Sequence, residues 1–144
     1  MKTSELTGAA LDWAVAKCEG VTVLPKMRGG HFVTLVRGET WLLQYSSNWY
    51  QGGPIVEREK MDLMFEGPEW YAYMRFAYNG VIATHQYDGP TPLIAAMRCY
   101  VASKLGEEVD VPEELKRHWK NYPPSKRCSL ICASYRPPHL WRAD

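Results

Sequence analysis

Residues 89–106 read GPTPLIAAMRCYVASKLG, and this stretch predicts the helix around which the rest of the chain must fold. The Gly-Pro pair at 89–90 stops the preceding segment, Thr91 is a good N-cap, and Pro92 suits the first helical position. Gly106 then ends the helix. Apolar side chains recur at helical spacing between these signals and should lie on a sheet. This stripe consists of Leu93, Met97, Tyr100, Val101 and Leu105.

A second helix of about 12 residues is predicted near the start of the chain. Thr7 is a good N-cap, and Gly20 is a good C-terminal stop. We expect Asp12, Lys17 and Glu19 to face away from its apolar stripe, and we expect this helix to lie beside the one at 91–106. The stripe consists of Ala10, Leu11, Ala14, Val15 and Cys18.

The segments between the two helices have the alternation and the β-branched content of strands. Pro25 should end the first strand, and residues 37–39 supply a hairpin turn between the second and the third. The sequence therefore predicts an α+β fold, an antiparallel sheet of about four to six strands with two main helices packed on it. The predicted strands are Val21–Leu24, His31–Val36, Thr40–Leu43, Leu63–Phe65, Trp70–Phe76 and Val81–Thr84.

Residues 44–59 differ from the strands on either side of them. The first part is rich in aromatic, hydroxyl and amide side chains, which is typical of a loop. Pro54 suits the first position of a helix, so residues 54–59 are predicted to form a single helical turn.

The chain changes character after residue 111. Residues 112–119 are predicted to form a short third helix. The part from residue 122 onward contains two proline pairs, which exclude regular helix and central strand, and it carries four basic residues against one acid. We therefore predict an α+β domain over residues 1–111 and a C-terminal extension over 112–144 that ends in an extended, proline-rich basic arm.

The composition and the charge exclude several classes of protein. With 46% hydrophobic and 23% charged residues, the chain of 144 has enough apolar surface to fold as one domain. A formal net charge of +1 weighs against a protein whose main work is to grip a nucleic-acid backbone. The first residues contain no long apolar run, and no stretch approaches the ~20 apolar residues of a membrane span. We expect an intracellular protein without a membrane segment.

The cysteines predict reduced thiols and no cofactor. The first two lie in predicted helices, where a buried thiol behaves as a small hydrophobe. The last two are four residues apart with His118 and His139 in the same part of the chain, but no standard zinc pattern fits them, so pairing or metal binding there is the less favoured alternative. The four cysteines are Cys18, Cys99, Cys128 and Cys132.

Three separate strings of the chain resemble one protein family. They are KTSELTGAALDWAVA at 2–16, QGGPIVERE at 51–59 and GPTPLIAAMR at 89–98. In order and spacing they are similar to the NinX proteins of lambdoid bacteriophages, over about residues 1–110. That family is a domain of unknown function, so the resemblance implies a phage protein acting in the cytoplasm of a host bacterium and passes on no catalytic residues. In related members an acid precedes the tryptophan of the loop, where this chain has Asn48.

The loop and the matching strings predict a pocket for a nucleotide-like molecule, although each residue taken singly also fits a turn, a cap or a solvated face. Gly52 and Gly53 let backbone N–H groups approach a ligand closely. Glu57 could take ribose hydroxyls, Arg58 could pair with a phosphate, and the helix start at Thr91 is a ready anion site. The predicted ligand-binding residues are Tyr45, Ser47, Asn48, Trp49, Gln51, Gly52, Gly53, Glu57, Arg58, Thr91 and Arg98.

Catalysis has less support than binding. His85 lies near Asp88, and such a pair could act as a general base with an orienting acid. Neither a nucleophile motif nor metal-ligand spacing accompanies the pair, so we predict that the protein is not an enzyme.

Three functions fit the sequence, and they differ in what the protein binds. The leading hypothesis is a phage accessory protein that sequesters a nucleotide-like small molecule as a counter-defence sponge. The alternative is an adaptor that binds a host or phage protein through Trp49, Tyr50 and the arm around Trp141. The third is a nucleic-acid accessory protein that uses the basic arm. One small domain encloses little volume, so a sequestering pocket would lie between subunits, and we expect a homo-oligomer.

Overall fold

The helix predicted at 91–106 lies at the centre of the computed structural model, which describes residues 1–120 and the side chains of residues 1–116. This helix, α3 (Pro92–Leu105), begins where Thr91 Oγ1 accepts a hydrogen bond from the Ile94 N–H at 3.2 Å. It ends at Gly106, whose φ of +89° favours glycine. Every residue from Leu93 to Ala102 is buried, so the predicted apolar stripe is only one side of a helix that is enclosed all round.

The described residues contain six strands and three α-helices besides α3. The prediction of an α+β fold with four to six antiparallel strands is confirmed, and these strands form two sheets of three, in the orders β1-β2-β3 and β4-β5-β6. In chain order the elements are α1 (Gly8–Cys18), β1 (Leu24–Arg28), β2 (His31–Val36), β3 (Glu39–Leu42), α2 (Trp49–Arg58), β4 (Asp62–Glu66), β5 (Glu69–Tyr78), β6 (Val81–Gly89), α3 and α4 (Glu113–Lys120), with a single 3-10 turn at Thr3–Glu5.

Two-residue turns set the register of the hairpins. Asn79 and Gly80 both have positive φ, 49° and 76°, as the type I′ turn between β5 and β6 requires. Arg37 and Gly38 do the same between β2 and β3. The α2 segment then separates β3 from β4, which explains why the strands divide into two sheets.

The predicted first strand, Val21–Leu24, is wrong in its bounds. The strand begins at Leu24 and continues through Pro25 to Arg28. It is an edge strand whose pairing with β2 shifts between Leu24 and Met27. A proline is accommodated there because a bulged edge strand does not need every N–H for the ladder.

The predicted helical turn at 54–59 is also wrong, because α2 begins five residues earlier at Trp49 and contains Pro54 in its interior. Asn48 caps the helix, with its Oδ1 accepting the Tyr50 N–H at 2.9 Å. Pro54 lacks the N–H that would bond four residues back, so packing must hold this helix together. Gly52 and Ile55 supply that packing, since both are buried.

The first helix matches its prediction except at one residue. Helix α1 spans Gly8–Cys18 and packs on α3 with its apolar stripe, as expected. Asp12, however, was expected to face solvent and is fully buried. The helix is covered on that side by β2 and by the segment that follows β3, which the periodicity of α1 alone cannot reveal.

The chain after α3 returns to the N-terminus. The Met1 amino group donates to the Val109 carbonyl at 2.9 Å, and the Thr3 N–H donates to the Glu107 carbonyl at 2.8 Å. Val111 and Leu115 then join the main core. The predicted third helix at 112–119 is present as α4, whereas the predicted basic arm, with Cys128, Cys132, His139 and Trp141, lies outside the described residues.

Candidate functional site

The start of α2 is fixed to the end of β3 by one amide side chain. Gln51 Oε1 accepts the Gln44 N–H at 2.8 Å, while Gln51 Nε2 donates to the Leu42 carbonyl at 2.7 Å. Asn48, predicted as a ligand contact, acts as the helix cap instead. Both amides are therefore used to build the loop, and Gln51 joins two segments that the sequence does not place together.

This fixed helix start presents two adjacent aromatic side chains to solvent. Trp49 is 51% exposed and Tyr50 is 77% exposed. Ser47 is exposed beside them, whereas Tyr45 is half-buried against the core, where desolvation raises the pKa of its hydroxyl. We call Trp49 and Tyr50 the α2 aromatic pair.

Gly52 serves packing rather than ligand approach. A Cβ at Gly52 would lie 2.4 Å from the Tyr45 carbonyl oxygen and 2.7 Å from Leu93 Cδ2. The same atom at Gly53 would meet only Trp49 Cε3, at 3.5 Å. The first glycine is therefore required for α2 to approach α3, and the second is not.

Arg58, predicted to pair with a phosphate, already has carboxylate partners. Its Nη2 lies 2.6 Å from Glu19 Oε1, and its Nε lies 3.1 Å from Glu59 Oε1. Arg58 also donates to the Tyr100 hydroxyl, so α1, α2 and α3 meet at this cluster. Arg58 lowers the pKa of the Glu19 carboxyl. Glu57, by contrast, is exposed on α2.

Arg98 is a buried structural residue. Its Nε donates to the Leu6 carbonyl at 2.9 Å, and its Nη1 donates to the Asp88 carbonyl at 2.8 Å. Burial lowers the pKa of its guanidinium. Thr91 is likewise used as the cap of α3. The structure thus gathers Ser47, Asn48, Trp49 and Gln51 at the start of α2, and it gives Arg98 a separate role in the core.

Two shallow cavities in the described part of the chain lie away from α2's start. They have volumes of about 370 and 340 Å³ and lie between the second sheet and the last turn of α3. His85 lines both cavities, together with residues such as Ser103 and Gly106. None of the predicted ligand-binding residues lines either of them.

The proposed His85–Asp88 dyad is not formed. Residues three apart on a strand point to opposite faces, and β6 contains both. His85 stacks on Phe76 with 4.5 Å between ring centroids. Over residues 1–120, no group of three or more His, Cys, Asp or Glu side chains could hold a metal ion. Burial raises the pKa of the Cys99 thiol to about 12, which keeps it protonated.

A buried acid–histidine pair was missed by the sequence interpretation. Asp12 Oδ1 accepts the Ser46 N–H at 2.7 Å, and Asp12 Oδ2 lies 3.9 Å from His31 Nδ1, beyond hydrogen-bond reach. Asp12 Oδ2 and His31 Nδ1 are both buried without a hydrogen-bond partner. Burial raises the pKa of Asp12, while Asp12 raises the pKa of His31. The position of an acid between apolar residues of α1 was the one sequence signal that could have indicated this buried pair.

These features define a small α+β domain whose capped helix α2 displays an aromatic pair. The chain belongs to the bacteriophage P22 NinX family, because the model of that family matches residues 2–104. The resemblance inferred from three strings is therefore confirmed. No curated protein matches the chain. Within the residues that the structure describes, no helix is long and apolar enough to cross a membrane.

Gly52→Ala should destabilise the fold, and Gly53→Ala should stabilise it. The first change forces a methyl group against a backbone carbonyl and should lower the free energy of unfolding by about 1–3 kcal/mol. The second adds a methyl group at ordinary contact distance from Trp49 within a helix and should raise it by about 0.5–1 kcal/mol. Urea denaturation followed by circular dichroism measures both. Equal effects of the two changes would contradict the close contact at Gly52.

His31 should titrate above its ordinary pKa of 6.5, because the Asp12 carboxylate stabilises the charged ring. Its contribution to stability is then complete below the unfolded pKa and is lost as pH rises through the folded pKa. As the pH rises through the folded pKa of His31, the free energy of unfolding of the native chain should therefore fall relative to that of His31→Gln. Proton NMR of the ring gives the midpoint, which Asp12→Asn should lower. A midpoint at or below 6.5 would refute the coupling.

Proposed function

We propose that this phage protein is a non-catalytic adaptor, which binds a host or phage protein through the α2 aromatic pair in the host cytoplasm. The observation that carries the proposal is the exposure of Trp49 and Tyr50 on a helix start that is fixed in place. Tryptophan and tyrosine are enriched among the residues that dominate binding energy at protein interfaces. Their flat apolar bodies give large contact areas, and their polar tips can still hydrogen-bond.

The way α2 is anchored lowers the entropy that binding would cost. Asn48 caps the helix, and both ends of the Gln51 amide bond to the backbone near β3. The backbone that carries the aromatic pair is therefore ordered before a partner arrives. A preorganised surface loses less conformational freedom on association than a flexible loop does.

Sequestration of a nucleotide-like molecule is the competing function, and the internal bonds of the loop weigh against it. Gln51, Arg58 and Arg98 were expected to contact the ligand, but each is already bonded within the fold. A phosphate at Arg58 would have to compete with the Glu19 carboxylate, which lies 2.6 Å away. With Asn48 and Gln51 bonded internally, the two exposed aromatic side chains fit a protein surface better than a nucleotide.

The double change Trp49→Ala/Tyr50→Ala should abolish capture of the partner from lysate of phage-infected bacteria by the immobilised full chain. Truncation of an interface hot spot costs about 2 kcal/mol or more, which corresponds to binding weakened by about 30-fold. Phe65→Ala is the matched control, since Phe65 is a similarly exposed aromatic residue on β4. Band intensities after capture, identified by mass spectrometry, measure the effect.

A nucleotide panel separates the two functions in the same variants. A ligand that binds the folded chain raises its melting temperature by mass action. Under the adaptor proposal, nucleotides, cyclic oligonucleotides and ADP-ribose derivatives leave the melting temperature unchanged. A shift that Trp49→Ala removes, with no protein captured, would replace the adaptor with a sequestering protein.

A further inference from the structure

Strand β6 (Val81–Gly89) leaves one edge of the second sheet open. In the described part of the chain it pairs with β5 alone. Two side chains of α3 contact backbone carbonyl oxygens of β6. Cys99 Sγ lies 3.4 Å from the His85 carbonyl oxygen, and Arg98 Nη1 lies 2.8 Å from the Asp88 carbonyl oxygen. Both contacts fall in the second half of the strand, so the first half, from Val81 to Thr84, offers the more open edge.

The other three sheet edges carry features that oppose strand addition. Strand β1 has a bulge and contains Pro25 and Lys26, and β3 has only four residues, beginning with Glu39. Strand β4 has five residues and carries an acid at each end. Short length, charge, proline and bulges are the means by which natural sheets prevent edge-to-edge pairing.

Strand β6 lacks these protections over most of its length, and its one charged residue, Asp88, lies next to the end of the strand. It is nine residues long, and no Lys, Arg, Asp or Glu occurs from Phe76 to Tyr87. Its free end is also apolar and solvent-exposed, since Val81 is 66% and Ile82 is 74% exposed. Tyr78, which pairs with Val81 across the hairpin, is 68% exposed. A neutral strand edge with an exposed apolar end is a template for another strand.

We propose that this edge is a self-association surface, on which β6 of a second copy of the chain adds in antiparallel orientation. The absence of charged side chains from residues 81 to 87 is what fits this part of the strand to a second copy. A twofold axis places equivalent parts of two identical strands near each other, so any charge on the edge would meet a like charge, which opposes pairing. A different partner protein would place no such restriction, because opposite charges could then face each other.

The main-chain groups of β6 and its exposed apolar end contribute in different ways. Strand addition supplies backbone hydrogen bonds along the shared edge. Burial of Val81, Ile82 and Tyr78 supplies the apolar contact that backbone pairing alone lacks. The β4-β5-β6 sheets of the two copies then join into one continuous sheet of six strands, three from each copy.

The oligomeric state of the full chain tests this proposal. Sedimentation equilibrium should give a mass about twice the 16.5 kDa of one chain. Ile82→Lys should weaken dimerisation by at least about tenfold, because it places like charges near each other across the interface. Hydrogen exchange should also show that the amides of Ile82 and Thr84, which point away from β5, become protected as the protein concentration rises.

Met64→Lys is the matched control, because Met64 is also exposed and lies on β4, the opposite edge of the same sheet. This variant should remain dimeric. If circular dichroism shows that Ile82→Lys fails to fold, Val81→Lys takes its place. A native chain that stays monomeric, a dimer that both variants retain, or a dimer that both variants lose would each overturn the assignment to β6.

Discussion

The enclosure of α3 is the constraint on which the rest of this structure depends. The helix contacts α1, α2 and all three strands of the second sheet, and it is buried from Leu93 to Ala102. The closest approaches to this helix require residues without a side chain. Gly52 meets Leu93, and Gly89 lies so close to α3 that a Cβ would be 2.7 Å from the Ala95 nitrogen. Both glycines thus belong to the packing of this one helix.

The same enclosure explains why residues that look like ligand contacts are used internally. Arg98 lies on a buried helix, so its guanidinium must find acceptors inside the protein, and it finds them in the carbonyls of Leu6 and Asp88. A buried donor without an acceptor would be strongly unfavourable. Arg58 similarly joins α2 to Glu19 and Tyr100. Charge and amide chemistry in a sequence therefore indicates a ligand site only when packing leaves those groups free.

Structural features that depend on neighbouring residues in the chain were predicted well from the sequence, and features that depend on distant residues were not. Thr91 and Gly106 bound α3 because capping depends on neighbouring residues in the chain. The extent of β1 and α2 could not be predicted, since Pro25 and Pro54 are tolerated through a bulge and through tertiary packing. The burial of Asp12 depends on Ser46 and His31, which are distant in sequence. Within the candidate site, Trp49 was predicted to lie in a loop but is the first residue of α2, and the anchoring role of Gln51 required the position of β3.

The two proposed binding surfaces differ in chemistry, and that difference fits them to different partners. The α2 aromatic pair is small and rigid, and its two side chains have polar tips, which suits a pocket on an unlike protein. The open part of the β6 edge, residues 81–84, is uncharged and offers main-chain groups, which suits a copy of itself. Because the aromatic pair belongs to a different element from β6, each chain of such a dimer keeps its own pair. Two pairs on one particle raise the effective concentration of the second contact once the first has formed, so a modest single affinity becomes a much tighter bivalent one. Self-association would in this way strengthen the adaptor without requiring any larger aromatic surface on a domain of this size.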